Sequence, residues 1–418
     1  MKLAVIGSGI SGLVAAYLLA PDHDLTVFEA NDYIGGHTHT HRCEQAGRAY
    51  AVDTGFIVFN DKTYPNLIRL LDRLGVASQP SEMSFSVRCE ASGLEYNGRS
   101  LNGLFIQRSN LVRPGFYRMV RDIFRFYRDA RELLTPGDEG LTLGDFIRRR
   151  GYSREFVEKH LVPIGAAIWS ADPGGFERFP ARFLARFFDN HGMLQMSGRP
   201  NWRVIRGGSS QYVEPLTAGF RDRIRLKTAI QSVRRCVDHV EVRPAGGEPE
   251  RFDRVILATH SDQALKMLSD ATADEREILG AIPYQRNTVT LHTDERMLPT
   301  RRGAWASWNY HIPRAASGAA ASRATVTYDM NILESLDAPR QFCVTLNRDG
   351  EIDERLKIRT LEYDHPVFLP QSVAAQARHE RINGVNRTYF CGAYWGFGFH
   401  EDGVKSALAV CKHFGKGL

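Results

Sequence analysis

The sequence has few cysteines and no long apolar run. Its six cysteines are scattered over 418 residues without a CxxC pair or metal-ligand spacing, so we expect reduced thiols rather than disulfides or a zinc site. No stretch of about 18 uninterrupted apolar residues occurs, which predicts that nothing spans a membrane. No signal peptide is visible at the N-terminus, and we expect a cytoplasmic protein. Hydrophobic residues make up 43% and charged residues 24%, which excludes long disorder.

Lysine is also scarce, and arginine takes its place. Only nine of the 54 basic residues are lysines, and the formal net charge is +6. Such a chain favours anionic partners, although charge alone does not choose among phosphate, carboxylate, acidic lipid and nucleic acid. Because the basic residues are dispersed and no recognition motif occurs, we do not expect a nucleic acid partner.

The N-terminus carries a glycine motif between two short apolar runs that are typical of buried parallel strands. Gly7 permits a tight turn, Gly9 lets the backbone approach a pyrophosphate, and Gly12 lets helix and strand pack closely. Glu29, 22 residues after Gly7, ends the second strand and can accept hydrogen bonds from ribose hydroxyls. The pattern predicts a dinucleotide site at the N-terminus of a helix. The expected contacts are Gly7, Gly9, Ile10, Ser11, Gly12, Glu29 and Ala30.

A second glycine pair follows the acidic residue. Gly35 and Gly36 precede His37, and an Asp-x-Gly segment follows at Asp53–Gly55. These blocks resemble the flavin amine oxidase superfamily, which includes monoamine oxidases, protoporphyrinogen oxidase and phytoene desaturases. The resemblance implies that FAD is the cofactor, that the glycine pair runs along its pyrophosphate, and that the Asp-x-Gly segment passes near the flavin. The family usually has Arg where this chain has His37. The residues implied are Gly36, His37, Thr38, Gly55, Phe56 and Ile57.

His37, His39 and His41 allow a different interpretation. Their alternate spacing would place three imidazoles on one face of a strand, as a metal site requires. No carboxylate or cysteine cluster joins them in the sequence, and the position suits the FAD loop better. We therefore predict no metal.

The C-terminal block resembles the same family. A strand-like run ends at Gly392, and a helix starts near Gly403. The resemblance implies that the N-terminus of this helix faces the pyrimidine end of the flavin, where its dipole stabilises negative charge on the reduced ring. Many relatives carry an acid where this chain has Ala393, and Asp402 is expected to take part of that role. The residues implied are Gly392, Asp402, Gly403 and Val404, together with Val233, whose backbone is expected to contact the adenine.

Four aromatic residues lie between glycines in the C-terminal block. Neither a helix nor a strand would bury all four of these side chains. The resemblance places this loop at the flavin. We expect Tyr394 and Trp395 to wall an apolar cavity there. His400 and Glu401 are the polar candidates for handling a proton, whereas His292 is expected to be structural.

Between these blocks the chain resembles a narrower group, the FAD/NAD-binding proteins related to the N-terminal part of plant cyclopropane fatty-acid synthases. Members of that group tend to act beside enzymes that methylate acyl chains, so the resemblance implies a lipid substrate and a lipid methyltransferase partner. We expect hydride transfer from an unsaturated or methylated fatty-acyl chain (free or in a phospholipid) to flavin, giving a desaturation. The matching strings are residues 163–170, 186–192, 200–202, 207–213, 287–294 and 326–331.

Three other functions stay open. Many amine oxidases of the superfamily use a lysine near the flavin, but none occurs between Gln285 and Arg355, which counts against amine oxidation. A redox-neutral isomerase of unsaturated lipids would use reduced flavin as its cofactor. A flavin-binding partner of a lipid methyltransferase would have no turnover of its own.

The segment 110–134 has the pattern of an amphipathic helix. Arg118, Arg121, Arg125 and Arg128 are expected to form one stripe. The plain interpretation is a helix packed on the core. The alternative is contact with an anionic membrane surface, which would make the protein peripheral at the inner face of the membrane. The apolar residues expected on the opposite arc are Phe116, Met119, Val120, Ile123, Phe124, Phe126 and Tyr127.

The length of the chain exceeds the roughly 250–300 residues of a single core, so we expect two domains. The expected fold class is α/β, with a discontinuous Rossmann-type FAD-binding domain and an α+β substrate domain, as in the amine oxidase fold. A run of small residues at 315–322 predicts a mobile loop. The FAD-binding domain is expected to combine residues 1–80, 200–270 and 385–418, and the substrate domain residues 81–199 and 271–384.

Overall fold

The computed structural model describes residues 1–135, 137, 140–195, 197–314 and 323–418. The predicted loop at 315–322 lies outside the described residues. Short strands alternate with turns along much of the chain. The strands are β1 (Lys2–Ile6), β2 (Asp24–Phe28), β3 (Thr40–Gln45), β4 (Arg48–Asp53), β5 (Val58–Asn60), β6 (Ser78–Pro80), β7 (Phe85–Cys89), β8 (Leu94–Asn97), β9 (Trp202–Ile205), β10 (Ile224–Arg225), β11 (Ile230–Arg235), β12 (Val240–Pro244), β13 (Glu250–Phe252), β14 (Arg254–Leu257), β15 (Tyr284–His292), β16 (Trp308–Ile312), β17 (Val326–Asp329), β18 (Cys343–Leu346), β19 (Lys357–Pro366) and β20 (Thr388–Phe390).

Helices fill most of the segment between β8 and β9 and flank the two ends of the chain. They are α1 (Ile10–Leu19), α2 (Pro65–Arg73), α3 (Leu101–Leu104), α4 (Pro114–Glu132), α5 (Leu143–Arg150), α6 (Arg154–Phe156), α7 (Val162–Trp169), α8 (Ala181–Asn190), α9 (Val213–Thr217), α10 (Ser261–Met267), α11 (Ala273–Gly280), α12 (Met330–Leu333), α13 (Pro370–Gln376) and α14 (His400–Lys412). None of these helices, within the described ranges, has both the length and the apolar character needed to cross a bilayer.

A five-stranded parallel sheet forms one layer, in the order β10-β2-β1-β14-β20. Strand β1 is apolar and is buried from Leu3 to Ile6, as a parallel strand covered on both faces requires. The five strands come from the beginning, the middle and the end of the chain. Each falls within a piece expected for the FAD-binding domain, whose boundaries stay a prediction.

A mixed seven-stranded sheet forms the second layer, in the order β19-β15-β18-β17-β16-β7-β8. Strands β16 and β7 pair in parallel, and the other pairs are antiparallel. The largest cluster of buried side chains joins this sheet to helices α4, α5, α7 and α8. Non-local pairing of this kind depends on burial of apolar area rather than on local propensity. The predicted α/β class, with a Rossmann-type parallel sheet and a second, mixed sheet, is therefore present.

A small sheet, in the order β5-β9-β6, connects the two layers. Strand β9 pairs with both neighbours in antiparallel register, and residues 202–205 thereby lie beside residues 58–60 and 78–80. The turn after β9 is consequently brought to the glycine loops at the N-terminus. This arrangement positions several of the side chains described next.

Candidate active site

The first glycine loop is built for close approach of backbone. Gly7 has φ = +104°, and a Cβ there would lie 2.6 Å from the carbonyl oxygen of Ala258. A Cβ on Gly12 would lie 2.0 Å from the carbonyl oxygen of Gly7, so helix α1 presses directly on the turn. A Cβ on Gly9 would meet nothing within 4 Å. No side chain caps α1 at Gly9, which leaves the first N–H groups of the helix available to an anion.

Glu29 fastens this loop to the segment after β2. Its Oε2 accepts hydrogen bonds from the backbone N–H and the hydroxyl of Ser8, at 2.9 and 2.6 Å. Its Oε1 accepts from the backbone N–H and the side-chain amide of Asn31, at 2.9 and 3.0 Å. Glu29 is buried and Ala30, next in the chain, is exposed. The position of Glu29 at the end of β2 is the one expected, and its contact with ribose stays a prediction.

The second glycine loop packs on the first. Gly9 and Gly35 form a parallel bridge. A Cβ on Gly36, where φ is +61°, would lie 3.1 Å from Cα of Gly9. A Cβ on Gly55 would lie 2.1 Å from the carbonyl oxygen of His37. The Asp-x-Gly segment therefore passes directly against the loop that carries the glycine pair.

Helix α14 begins against helix α1. A Cβ on Gly403 would lie 2.7 Å from Cγ2 of Ile10 and 3.0 Å from Oγ of Ser11, so the absence of a side chain is what permits the contact. Asp402 accepts hydrogen bonds from two N–H groups of the loop that enters the helix, at 3.0 and 3.1 Å. Burial raises the pKa of the Asp402 carboxyl to about 6. Val404 is fully buried beneath this contact.

His400 is the first residue of α14 and forms a polar centre beside the glycine loops. Its ring stacks on Phe56, with centroids 3.6 Å apart. Its Nε2 lies 3.0 Å from Oγ1 of Thr38 and 3.3 Å from the hydroxyl of Tyr212, and these two hydroxyls are 2.5 Å apart. Burial lowers the pKa of His400 well below its usual range, so the ring is neutral at pH 7. Three predicted site residues thus meet here, together with Tyr212, to which the sequence analysis gave no role.

Glu401 is directed at helix α2. Its carboxylate accepts hydrogen bonds from the backbone N–H of Asn66, from the side-chain amide of Asn66 at 2.6 Å, and from the N–H of Leu67 at 2.9 Å. These N–H groups belong to the first turn of α2, where the helix dipole stabilises a negative charge. The structure therefore gives Glu401 the position of a helix cap, and its role in handling a proton stays a prediction.

Phe397 and Phe399 belong to a cluster of aromatic rings. The ring centroid of Phe397 lies 4.7 Å from that of Phe183 and 5.5 Å from that of Phe187, and Phe399 lies 5.1 Å from Phe187. Trp169 donates its indole N–H to the carbonyl oxygen of Phe397 at 3.0 Å, which fixes the loop. Phe397 and Phe399 are only half-buried. We call Phe183, Phe187, Phe397 and Phe399 the aromatic wall.

Tyr394 and Trp395, the residues expected to wall a cavity, pack in another direction. Trp395 stacks on His379 with centroids 4.0 Å apart and packs on the core cluster around β14. Tyr394 is buried, and a Cβ on Gly392 would lie 2.3 Å from its ring. Burial raises the pKa of the Tyr394 hydroxyl well above its usual value. The structure thus brings the two phenylalanines of the run to the aromatic wall, and a cavity walled by Tyr394 and Trp395 stays a prediction.

A group of rings surrounds the side chain of His37. Its centroid lies 4.9 Å from that of Tyr363, 5.6 Å from that of His365 and 6.1 Å from that of His260. Burial lowers the pKa of His37 to about 4, to which the neighbouring His260 also contributes, and burial lowers the pKa of His365 to about 3. The sequence analysis did not find Tyr363, His365 or His260, because they approach from distant parts of the chain and no local motif marks them.

The other histidines of the alternate run make hydrogen bonds with hydroxyl groups. His39 Nδ1 lies 3.0 Å from the hydroxyl of Tyr363, and His41 Nε2 lies 3.0 Å from Oγ1 of Thr54. The ring of His39, directly before β3, lies 4.2 Å from that of His41 within the strand. Within the described ranges, one group of side chains has the mutual spacing of metal ligands, and it is half-buried on the β11–β12 hairpin: Cys236, His239 and Glu241.

Three further residues from the sequence analysis lie in the core. Val233 is fully buried on β11, and its carbonyl oxygen accepts from the N–H and the hydroxyl of Ser269, at 3.0 and 3.2 Å. Ile57 belongs to the largest buried cluster. His292 is fully buried in the seven-stranded sheet, with Nε2 2.7 Å from Oγ1 of Thr345. The contact of Val233 with adenine and that of Ile57 with FAD stay predictions.

The two glycine loops, the acid after β2 and the helix that returns at the C-terminus define a flavin-binding fold. Residues 10–317 match the profile of the family described as flavin containing amine oxidoreductase, and the chain belongs to that family. FAD is therefore its cofactor, as the resemblance implied.

Two curated relatives of this chain are named for tryptophan. The flavin-dependent L-tryptophan oxidase RebO of Lentzea aerocolonigenes is 34% identical over 313 residues, which cover 68% of this chain and 63% of that protein. Tryptophan 2-monooxygenase of Allorhizobium ampelinum is 38% identical over 243 residues, which cover 54% of this chain and 32% of that protein. The chain therefore spans less than two thirds of the length of these curated relatives.

Two solved structures illustrate the fold. Cyclohexylamine oxidase of Brevibacterium oxydans superposes with a TM-score of 0.70 at 16% identity, over 99% of both chains. The CLA-producing fatty acid isomerase of P. acnes superposes with a TM-score of 0.67 at 19% identity, over 99% of this chain and 98% of that chain. At these identities the likeness establishes the amine oxidase-like fold and nothing finer.

The residues present suit FAD. The open space over Gly9 and the uncapped N-terminus of α1 are what a pyrophosphate needs, and the buried Glu29 stands where a ribose acid is expected. Gly36 and His37 would hold the pyrophosphate from the second loop. The N-terminus of α14, packed on α1 through Gly403, would face the flavin.

Proposed function

We propose that the protein is an FAD-dependent oxidoreductase that desaturates an apolar acyl chain, either unsaturated or methylated, free or within a phospholipid. The aromatic wall carries the proposal. Phe397 and Phe399 are half-buried and immediately precede His400, and their ring neighbours Phe183 and Phe187 are buried behind them. Transfer of an acyl chain from water to such a surface is favourable, whereas an ammonium or carboxylate group would lose its hydration there.

The distribution of lysine counts against an amine substrate, and the most buried ion-paired arginines already have partners. No lysine occurs between Gln285 and Arg355. Among the arginines with ion pairs in the described structure, Arg235 and Arg348 are the most buried, and each is bound to a glutamate, at 2.7 and 2.6 Å. Both guanidinium groups therefore already have a carboxylate partner within the protein.

Desaturation removes a hydride from one carbon and a proton from its neighbour. Bound FAD supplies the hydride acceptor, and O2 or another acceptor reoxidises it. His400 is the candidate proton acceptor: burial keeps its ring neutral, and Nε2 has a lone pair when Nδ1 carries the ring proton, although the lowered pKa makes the imidazole a weak base. Thr38 and Tyr212 orient this nitrogen, and the stacked ring of Phe56 fixes the imidazole plane.

The relatives support different substrates. A fatty acid isomerase shares the fold, which is compatible with a lipid substrate. The curated relatives are named for tryptophan, whose indole ring would also suit an aromatic wall. A lipid methyltransferase is proposed as the partner that produces the methylated chain. Isomerisation by reduced flavin and a flavoprotein without turnover are the competing proposals.

An anaerobic reduction assay separates these functions. FAD-loaded protein is mixed without oxygen with unsaturated or methylated fatty acids and phospholipids, with polyamines, and with tryptophan, and flavin absorbance is followed. We expect bleaching with the acyl substrates and a product with one additional double bond. Bleaching by tryptophan or amines alone would overturn the proposal. Double-bond migration that needs flavin reduced beforehand would point to the isomerase, and no bleaching with any compound to a partner without turnover.

A variant pair ties the reaction to the aromatic wall. Phe399→Ala should slow flavin reduction by acyl chains about tenfold or more, because it removes ring surface from the wall while leaving the glycine loops intact. Phe252→Leu, a similar loss of ring surface in the core around β14, should leave the reduction rate per bound flavin unchanged. If Phe399→Ala reduces its flavin as fast as Phe252→Leu does, the wall does not contact the substrate.

A further inference from the structure

Exposed apolar side chains are concentrated in one stretch of the chain. Ten large apolar residues are exposed in the described ranges, and five of them lie within residues 101–124. Val112 is 81% exposed and Phe124 is 51% exposed. Single exposed apolar residues are ordinary on a protein surface, but a cluster of them marks a contact surface. The five are Leu101, Leu111, Val112, Tyr117 and Phe124.

On α4 the exposed rings share one stripe with arginines. Tyr117, Arg121, Phe124 and Arg128 follow one another at positions i, i+4, i+7 and i+11, and all four are exposed. At 100° per residue they fall within an arc of about 60°. The outward face therefore alternates ring and guanidinium. This corrects the predicted arc, which placed Phe124 among the inward residues. The buried residues of α4 are Phe116, Met119, Asp122, Phe126, Asp129 and Ala130.

The exposed residues before α4 lie beside this stripe. The hydroxyl of Tyr117 donates to the carbonyl oxygen of Leu111 at 3.0 Å, so the short turn that ends at Val112 is fastened to the first turns of α4. Phe105, directly after α3, lies 6.2 Å from the ring of Tyr117. These contacts join the turn and the helix into one surface. We call it the docking edge, and it consists of Leu111, Val112, Tyr117, Phe124, Arg121 and Arg128.

The same stretch carries an excess of positive charge. Residues 99–131 contain eight arginines, two aspartates and no other charged residue, a net charge of +6 that equals the charge of the whole chain. Both aspartates, Asp122 and Asp129, are buried beneath the stripe. They pair with Arg121 and Arg128 at 3.3 and 2.9 Å, yet the side chain of Arg128 remains 74% exposed. The docking edge therefore presents positive charge outward.

We infer that the protein docks peripherally on an anionic phospholipid bilayer through the docking edge. Protruding apolar side chains can enter the region between headgroups, while the arginines contact lipid phosphates. A nucleic acid would use the arginines and leave the four apolar side chains in water. A second copy of the chain would bring a surface of the same charge against this one. The inference concerns the surface alone and does not depend on the proposed reaction.

Vesicle sedimentation of the full-length FAD-loaded protein tests the docking edge. We expect binding to phosphatidylglycerol–phosphatidylcholine vesicles at low salt, clear weakening in 0.5 M NaCl, and much weaker binding to phosphatidylcholine alone. Arg121→Glu should lower the partition coefficient by about fivefold or more, since one arginine near an anionic surface is worth about that factor. The double variant Val112→Asp with Phe124→Asp should lower it by about tenfold or more, because charge cannot enter the interface.

Val237→Asp is the matched control, since Val237 is 96% exposed on the β11–β12 hairpin, away in sequence from the docking edge. It should bind vesicles as the unchanged protein does. Flavin content and thermal unfolding confirm that each variant is folded. The inference fails if anionic vesicles are not bound, if Val237→Asp weakens binding equally, or if the double variant instead abolishes a dimer. The assay needs no turnover, so a failed desaturation assay leaves its result intact.

Discussion

His400 is neutral at pH 7 and is held in place by buried neighbours. Its Nε2 meets the hydroxyls of Thr38 and Tyr212, which are buried with it. We expect His400→Ala to lower the free energy of unfolding by about 1–3 kcal/mol, because two buried hydroxyls lose a partner. Flavin reduction by an acyl chain should also slow. Urea unfolding and anaerobic stopped-flow measure the two effects.

Tyr212→Phe is the control for that substitution, because it removes one hydroxyl and keeps the ring. It should cost about 1 kcal/mol of stability and leave FAD bound. If His400→Ala folds and reduces its flavin at the original rate, the imidazole plays no part in the chemistry and only the packing interpretation survives.

Gly9 and Gly12 differ in the free space around their Cα atoms, so an alanine at each position tests a different role. A Cβ on Gly9 would meet nothing within 4 Å, whereas a Cβ on Gly12 would lie 2.0 Å from backbone oxygen. We expect Gly9→Ala to leave the stability of the apoprotein unchanged and to weaken FAD binding about tenfold or more. Gly12→Ala should destabilise the apoprotein itself, by about 2 kcal/mol or more.

Isothermal titration of apoprotein with FAD and thermal unfolding of apoprotein measure these two effects. Gly219→Ala is the control, because a Cβ on Gly219 also meets nothing within 4 Å but Gly219 lies outside the glycine loops. Unchanged FAD affinity in Gly9→Ala would contradict the placement of the pyrophosphate over this residue.

At the scale of elements, Glu401 joins α14 to the start of α2. Its carboxylate accepts from the first N–H groups of α2. We expect Glu401→Ala to lower the free energy of unfolding by about 1–2 kcal/mol, as the loss of a helix cap does. The rate of flavin reduction per bound FAD should not change. A stable Glu401→Gln variant without flavin reduction would show instead that the carboxylate handles a proton.

The spacing of residues in the sequence predicted those elements whose structure depends on nearby residues alone. The glycine motif, helix α1 and Glu29 lie where the sequence analysis placed them, because turn geometry and strand length are set within about 30 residues. For α4 the helix was predicted but its orientation was not. The prediction put both Phe124 and Phe126 on the inward arc, but Phe126 is buried with Asp122 and Asp129 while Phe124 faces outward.

At the scale of the whole molecule, the site is assembled from segments that have no local relation. Tyr212 reaches Thr38 because β9 pairs with β5, and His260 and His365 reach His37 from the ends of two different sheets. Sequence spacing carries no information about these contacts, which depend on pairing between distant strands. The family resemblance supplied the cofactor and the architecture, and the aromatic wall was visible only after folding.

Burial of histidines gives the whole fold a pH dependence. Burial lowers the pKa of His37, His160 and His292 to about 4 and that of His365 to about 3, against roughly 6.5 in an unfolded chain. Between pH 4 and 6.5 the unfolded chain therefore binds more protons than the folded one, and stability rises with pH in this window. Buried carboxyls oppose the trend: burial raises the pKa of Asp329 to about 7 and that of Asp402 to about 6, and it also raises the pKa values of Glu334 and Asp53.

We therefore expect the urea midpoint of the apoprotein to fall as the pH is lowered from 7.5 to 5. Each buried histidine contributes a slope of up to about 1.4 kcal/mol per pH unit below its unfolded pKa. His365→Asn removes one such group from the ring cluster around His37 and should make the decline shallower by up to that amount. A midpoint that is constant or rises as the pH falls would mean that these imidazoles are protonated in the fold, and that the cluster around His37 meets FAD as cations.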